Sequence, residues 1–182
     1  MTEPTSLSRR DFGAAAAAAA ALAAAPVAAQ PLRRAGPEWY RAIQEHHRQL
    51  FDLMGRAMDG AGGRPMTLVP LIRRINMVNA AHAIAEEVSI YPMIDILGMR
   101  GRSQSLYREQ QMAKVMGTRM LVEAQQGDPG LRDTMRQLSD ALRAHVREEE
   151  DQTYPDLIRR ASPAQNRMIS ELYSETFRRA SA

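Results

Sequence analysis

Residues 82–92 read HAIAEEVSIYP, and residues 145–155 read HVREEEDQTYP. Both segments place a histidine, two adjacent glutamates and a Tyr-Pro pair at the same intervals. On an α-helix, residues four positions apart project from the same side, so each histidine and the glutamate four positions later can reach one ion. The repeat therefore predicts two helices that each carry a histidine and a carboxylate for a metal.

A third helical segment contains the remaining histidines of the chain, which has four in total. His47 falls on the apolar face of this segment, as His82 and His145 do on theirs. Burying so many ionisable groups without a partner costs on the order of several kcal/mol each, whereas a cation compensates them. We therefore predict one metal site formed by His47, His82, Glu86, His145 and Glu149.

Helix-forming residues dominate the composition, and β-branched runs are absent. Apolar residues recur at helical spacing in four segments that short glycine-rich loops connect. This pattern predicts an all-α fold, an antiparallel up-down-up-down four-helix bundle over residues 37–157. A short extra helix within residues 158–182, with a capping box at Ser162 and Gln165, is expected to pack outside it. The Tyr-Pro pairs are expected to break or kink the second helix and to end the fourth.

The amino terminus resembles a twin-arginine export signal. Arg9-Arg10 precedes an alanine-rich apolar run from Ala14 to Ala25 and a small-residue cleavage pattern. We expect a signal peptide at residues 1–29 and a linker at residues 30–36. The mature protein is then periplasmic or otherwise exported, with no stable membrane insertion after cleavage of the signal.

Composition excludes several classes of function. The formal net charge is +3, and the arginines are dispersed among acids, so nucleic-acid binding is not predicted. Cysteine is absent, which leaves oxygen and imidazole groups as metal ligands. No phosphate loop, dinucleotide fingerprint or Ser-His-Asp order occurs, so hydrolase and nucleotide-dependent functions are unsupported.

Through these motifs the chain resembles the hemerythrin-like, HHE cation-binding domain family from about Glu38 to Leu157. Residues 47–50 read HRQL, which is similar to the histidine motif of the family's first helix, and the repeat is similar to its H-x-x-x-E-E-x-x-x-Y/F-P pattern. The resemblance implies a non-haem iron pair, with Glu86 and Glu149 as bridging carboxylates. Such centres bind dioxygen, nitric oxide or peroxide, or sense iron and oxygen.

The third helix departs from the family pattern, because Gln110 and Lys114 occupy the positions of its histidines. The resemblance implies that His47 and His82 hold one iron, which leaves His145 and the bridges for the other. We therefore predict an asymmetric site, in which one iron is held well and the second position binds iron weakly. Each chain would then hold one or two ions.

Three residues are candidate additional ligands. Gln110 offers an amide oxygen and Glu109 a carboxylate, both acceptable to iron or manganese although weaker than imidazole. His46 adjoins His47, but its spacing from the apolar residues fits the ligand pattern less well. Lys114 has two interpretations: an ammonium in place of a second cation, or a surface side chain.

The leading prediction is an exported non-haem iron protein that binds dioxygen or a related diatomic or peroxide ligand. One alternative is a peroxide-consuming iron enzyme in which Glu109 or Glu148 shuttles protons. Another is a metal-buffering or protein-interaction bundle without redox chemistry. The sequence predicts no oligomeric state.

Overall fold

The computed structural model describes residues 36–182, so the predicted export signal and nearly all of the predicted linker lie outside the described residues. Residues 36–182 form helices and no strand, which confirms the all-α prediction. None of these helices is long and apolar enough to cross a membrane. The five long helices are α1 (Glu38–Gly60), α2 (Val69–Ser89), α4 (Arg100–Gln126), α5 (Leu131–Glu148) and α7 (Pro163–Ala180). The two short helices are α3 (Tyr91–Ile96) and α6 (Tyr154–Arg160).

Four of the long helices form a closed ring of contacts: α1 packs on α2, α2 on α4, α4 on α5, and α5 on α1. The last helix, α7, packs against both α2 and α1. It begins with the predicted capping box, in which the Gln165 backbone N–H donates to Ser162 Oγ at 3.2 Å. The Trp39 ring fixes α7 to the start of α1, because its Nε1–H donates to Asn166 Oδ1 at 2.9 Å.

Two separate apolar clusters form the core, and the predicted ligands lie between them along the chain. The first core includes Trp39, Tyr40, Ile43, Ile94, Leu106, Tyr154, Leu157 and Ile169. The second core includes Leu50, Met54, Ile72, Ile75, Ala113, Met120, Met135, Leu138 and Leu142. Along α1 and α4 the first core precedes the second, whereas along α2 and from α5 to α6 the order is reversed.

Two glycines, one within α4 and one directly after it, have structural roles. Gly127 ends the helix in the left-handed conformation, with φ of +69°, which costs glycine little. Gly117 allows α4 to approach α2, since a Cβ at this position would collide with Asn76 Oδ1. The Asn76 amide instead donates to the Gly117 carbonyl oxygen at 2.8 Å.

The Tyr-Pro pairs behave differently in the two repeats. The second helix breaks at Ile90, as expected, and α3 starts at Tyr91. The prediction that the fourth helix ends at Tyr154-Pro155 is wrong, because a π-helical turn at Glu149–Thr153 leads directly into α6. Pro155 is accommodated because it lies in the first turn of α6, directly after the π-helical turn, and proline is common in the first turn of a helix.

Candidate metal centre

The structure brings four of the five predicted ligands into one buried group, which we call the His/Glu cluster: His47, His82, Glu86 and Glu149. One ligand atom of each lies within 4.8 Å of the others. His47 Nε2 is 3.1 Å from His82 Nε2 and 3.4 Å from Glu149 Oε2, and His82 Nε2 is 3.2 Å from Glu86 Oε2. Both carboxylates are fully buried. Helices α1 and α2 and the π-helical turn after α5 therefore supply two imidazoles and two carboxylates to a single point.

His145, the fifth predicted ligand, lies beside this cluster but outside the group of four. Its Nε2 atom is 3.2 Å from Glu149 Oε1, on the side of Glu149 opposite to the contact made by Oε2 with His47. Its Nδ1 atom is 2.8 Å from Glu109 Oε2. The arrangement is therefore asymmetric, with two imidazoles on one side of Glu149 and one on the other.

The candidate additional ligands occupy different surroundings. The Gln110 amide donates to Glu86 Oε2 at 2.5 Å, while its buried oxygen has no hydrogen-bond partner among residues 36–182. Glu109 contacts the site through His145. His46 lies outside the His/Glu cluster, with its ring stacked on Phe177 at 3.6 Å between centroids.

Lys114 does not supply an ammonium to the cluster. Its Nζ atom lies 2.8 Å from Glu87 Oε1, and its side chain is about a quarter exposed. The partner is the second glutamate of the first repeat, which points away from Glu86 because it is about a hundred degrees further around the helix. The charge of Lys114 is therefore used in an ion pair between α2 and α4.

Two tyrosines that we had interpreted only as helix breakers take part in the site. The Tyr91 hydroxyl donates to Glu149 Oε1 at 2.9 Å, and the Tyr154 hydroxyl lies 2.6 Å from an oxygen of both Glu86 and Glu149. Burial and the neighbouring Glu149 charge raise the pKa of Tyr91 and of Tyr154 well above the usual value, so both stay protonated as donors. Both tyrosines stand at the same offset within their repeats, and this is the sequence signal from which their role in the site could have been predicted.

A third tyrosine, Tyr173 of α7, was missed entirely, because nothing in the local sequence connects it with the histidines. Its hydroxyl lies 3.0 Å from His82 Nδ1 and 2.8 Å from His46 Nδ1. Burial and the charge of His47 lower the pKa of His46 to about 4, so His46 is neutral and can accept from Tyr173. The same hydroxyl can then accept from His82 Nδ1–H, which leaves the Nε2 lone pair of His82 directed into the cluster.

His47, His82 and His145 share one arrangement. Each Nδ1 atom is held by an outer oxygen, and each Nε2 atom lies 3.2 to 3.4 Å from an oxygen of Glu86 or Glu149. The outer partners are Glu150 for His47 at 2.8 Å, Tyr173 for His82 at 3.0 Å and Glu109 for His145 at 2.8 Å. Metal-binding histidines in proteins are typically oriented by such outer hydrogen bonds. The donor set suits a cation, and the buried Glu149 Oε2 atom supports this fit, because it lies 3.4 Å from His47 Nε2 but accepts no hydrogen bond among residues 36–182.

Without a cation, protons balance the charge of the site. Burial alone would lower the pKa of both His47 and His145, but Glu149 and neighbouring carboxylates raise these values to about 9 and about 10. Burial and the adjacent Glu149 raise the pKa of Glu86 to about 8. Near neutral pH the metal-free site therefore holds two imidazolium groups and one neutral carboxyl, which a bound metal would have to deprotonate.

We expect metal affinity to increase with pH for this reason. The three raised pKa values mean that the folded, metal-free chain retains protons that are lost only as the pH rises through about 8 to 10. Each proton displaced by the metal contributes on the order of a tenfold gain in affinity per pH unit. Zinc titrations at several pH values between about 6 and 8, with proton release measured by an indicator dye, check this. An affinity that does not vary with pH would contradict it.

The same three groups predict the sign of the stability change for the metal-free protein. Their raised pKa values stabilise the fold most at low pH, and this contribution is lost as the pH rises through about 8 to 10. We therefore expect the thermal midpoint of the metal-free chain to fall from neutral to alkaline pH, as measured by calorimetry. Zinc-loaded protein should show a smaller decrease, since the metal has replaced the protons.

Comparison with known proteins agrees with this geometry. The family model of the hemerythrin HHE cation binding domain matches residues 40–157. No curated protein and no solved structure matches the chain. The matched segment is more than half of the sequence and contains the His/Glu cluster and His145, whereas α7 with Tyr173 lies beyond it. The chain therefore belongs to the hemerythrin HHE cation-binding domain family.

Proposed function

We propose that this protein is a non-haem iron protein that binds dioxygen or a related small oxidant or gas at the His/Glu cluster. One observation carries the proposal: outer hydrogen bonds on Nδ1 direct three Nε2 atoms toward two buried carboxylates. The twin-arginine pattern at Arg9-Arg10 supports a further part of the proposal, namely that the protein is exported to the periplasm.

For the fold, we propose the antiparallel up-down-up-down topology for α1, α2, α4 and α5, with α7 as an addition. The support is the order in which the chain meets the two cores, which alternates from each of these helices to the next. In this arrangement the ligands occupy one level of the bundle, as in other bundles with metal sites in their interior.

The proposed ligands are unequal. His47 and His82, with Glu86 and Glu149, would hold one ion, while a second ion beside Glu149 would have only His145 as an imidazole ligand. Gln110 provides an amide at the place where the family pattern has a histidine, and amides bind iron more weakly. A bound iron supplies open coordination positions and a redox couple to this site. We therefore propose that each chain holds one iron tightly and a second iron less tightly.

Elemental analysis and optical spectroscopy of the purified protein test this function. We expect one iron to survive dialysis, a second to be lost, and the spectrum of the reduced, anaerobic protein to change reversibly with dioxygen or nitric oxide. His82→Ala should remove both the retained iron and the spectral change. Two firmly held irons with an oxo-bridged spectrum would contradict the unequal site, and absence of iron would contradict the function.

A second candidate, peroxide removal, is favoured by the position of Glu109. This carboxylate is 41 % exposed and contacts His145 Nδ1, so it connects the buried site with solvent. Its pKa is lowered, chiefly by the hydrogen bond to His145, so it is ionised and can accept a proton. Catalytic loss of peroxide by iron-loaded protein, reduced in Glu109→Gln but not in Glu148→Gln, would favour the enzyme. A reversible spectral change without turnover would favour the binder.

The contact of Tyr173 with His82 gives a further prediction. Tyr173→Phe should weaken metal binding about tenfold, because outer hydrogen bonds typically contribute 10- to 100-fold, roughly, to metal affinity. Competition with a chromophoric chelator measures this change. Tyr107→Phe is the matched control, since it also removes one hydroxyl, whose partner is the Glu87 carbonyl oxygen rather than a proposed ligand. Equal losses in both variants would contradict a specific role for Tyr173.

A further inference from the structure

A cavity of about 210 Å³ lies directly beside the His/Glu cluster. His47, His82 and His145 form part of its inner wall. Its outer residues come from α4 and α5 and include Met112, which is 58 % exposed, and the exposed Ala144. The cavity therefore connects the imidazoles with the surface between these two helices.

Small side chains create this space. Ala113, Ala141 and Ala144 line the cavity where α4 faces α5, and Leu50 and Leu142 extend its apolar wall. Protein interiors are normally packed without such gaps, so a large space beside a polar cluster indicates room for another molecule. The apolar lining favours a molecule with a hydrocarbon body.

Two amide side chains lie on the wall. Asn79 is 6 % exposed. The buried oxygen of Gln110, another lining residue, has no hydrogen-bond partner among residues 36–182, although its amide nitrogen donates to Glu86. Buried polar groups without partners are costly and uncommon in native proteins. A ligand with one hydrogen-bonding group would satisfy an amide in this cavity, whereas the charged Glu109 is already paired with His145.

We propose that this cavity binds a small neutral organic molecule with an apolar ring and one polar group, of the phenol class. The size agrees, because an engineered apolar cavity of about 150 Å³ accommodates benzene, whereas drug-sized ligands require roughly 300 Å³ or more. The ring lies among the alanines and the hydroxyl faces the amides. Such a molecule would lie beside the proposed iron, so this part of the proposal rests on the proposed function.

Calorimetric titration of the full chain with phenol, in metal-free and iron-loaded forms, tests the proposal. We expect saturable binding of one phenol per chain in both forms. Ala144→Leu, which fills the cavity from an exposed helix position, should weaken binding at least about tenfold, in line with the cost of overpacking. Ala164→Leu, at an exposed position in the first turn of α7, is the matched control and should bind phenol as the unchanged chain does.

A second variant tests the polar contact. Asn79→Leu should weaken phenol binding about fivefold without weakening toluene binding, which corresponds to the loss of one ordinary hydrogen bond. No saturable phenol binding, or equal binding by Ala144→Leu and Ala164→Leu, would overturn the proposal. Iron content and gas response, measured on the same samples, separate the two ideas. Iron binding without phenol binding overturns only the organic ligand, and phenol binding without iron overturns only the proposed function.

Discussion

Replacing Glu149 with glutamine is expected to reduce metal affinity at least about 100-fold, because the charged carboxylate is replaced by a neutral amide at the centre of the site. Glu149 contacts His47 through one oxygen, and His145 and two tyrosines through the other. The charges of His145 and His47 and their hydrogen bonds hold the pKa of Glu149 well below its usual range against the effect of burial, so this carboxylate is charged at all moderate pH values. Metal per chain after dialysis, measured by elemental analysis, checks the loss.

Glu148→Gln is the matched control, because it makes the same chemical change one residue earlier. Glu148 accepts from Thr153 Oγ1 at 3.1 Å and is not part of the His/Glu cluster, so metal content should stay unchanged. Glu86→Gln is a second test, for the case in which Glu149→Gln does not fold. The raised pKa of Glu86, about 8, means that an amide replaces a neutral carboxyl near pH 7 in the metal-free chain. It should therefore fold and still lose metal. Retention of metal by both cluster variants would refute the assigned ligands.

Removing the metal should lower the thermal midpoint by about 8 to 16 °C. A ligand present at about 1,000 times its Kd stabilises the folded state by about 4 kcal/mol, and each kcal/mol shifts the midpoint of a domain of this size by about 2 to 4 °C. The metal stabilises the fold because the unfolded chain cannot assemble donors from three helices. Calorimetry of iron-loaded protein before and after treatment with a chelator measures the shift.

The chelator needs its own control, since it can also act on the protein directly. His82→Ala protein, already deprived of a ligand, should show no change in midpoint when the chelator is added. If chelation leaves the unchanged chain as stable as before and releases no iron, the iron function fails. The non-redox interaction bundle would then be the better description of this protein.

Local periodicity explains why much of the fold and site could be predicted. Helical spacing identified the long helices, and an interval of four residues identified His82 with Glu86, whose atoms are in fact 3.2 Å apart. Convergence of the helices was inferred from the repeat and the family resemblance. The asymmetry of the metal site was predicted from Gln110, which stands where the family pattern has a histidine on the third helix.

The features that were missed depend on packing between distant parts of the chain. Tyr173 contacts His82 across 91 residues of sequence, and no local pattern reports such a contact. The continuation of α5 through a π-helical turn was missed because proline usually ends a helix, and π-helical turns have no simple sequence signature. Tyr154 was consequently assigned to a terminus, although it lies within a continuous helical segment and contacts both carboxylates.

Because Tyr173 of α7 contacts His82, the segment that matches the family model does not contain every residue that orients a proposed ligand. A chain truncated after Arg160 would retain every proposed ligand, yet it would lose Ile169 and Tyr173 from the first core and the hydrogen bond on His82. During synthesis these residues leave the ribosome after all the proposed ligands. We therefore expect the ion to be held at full strength only once α7 has packed onto the bundle, and a recombinant fragment designed from the domain boundaries alone should hold its metal poorly.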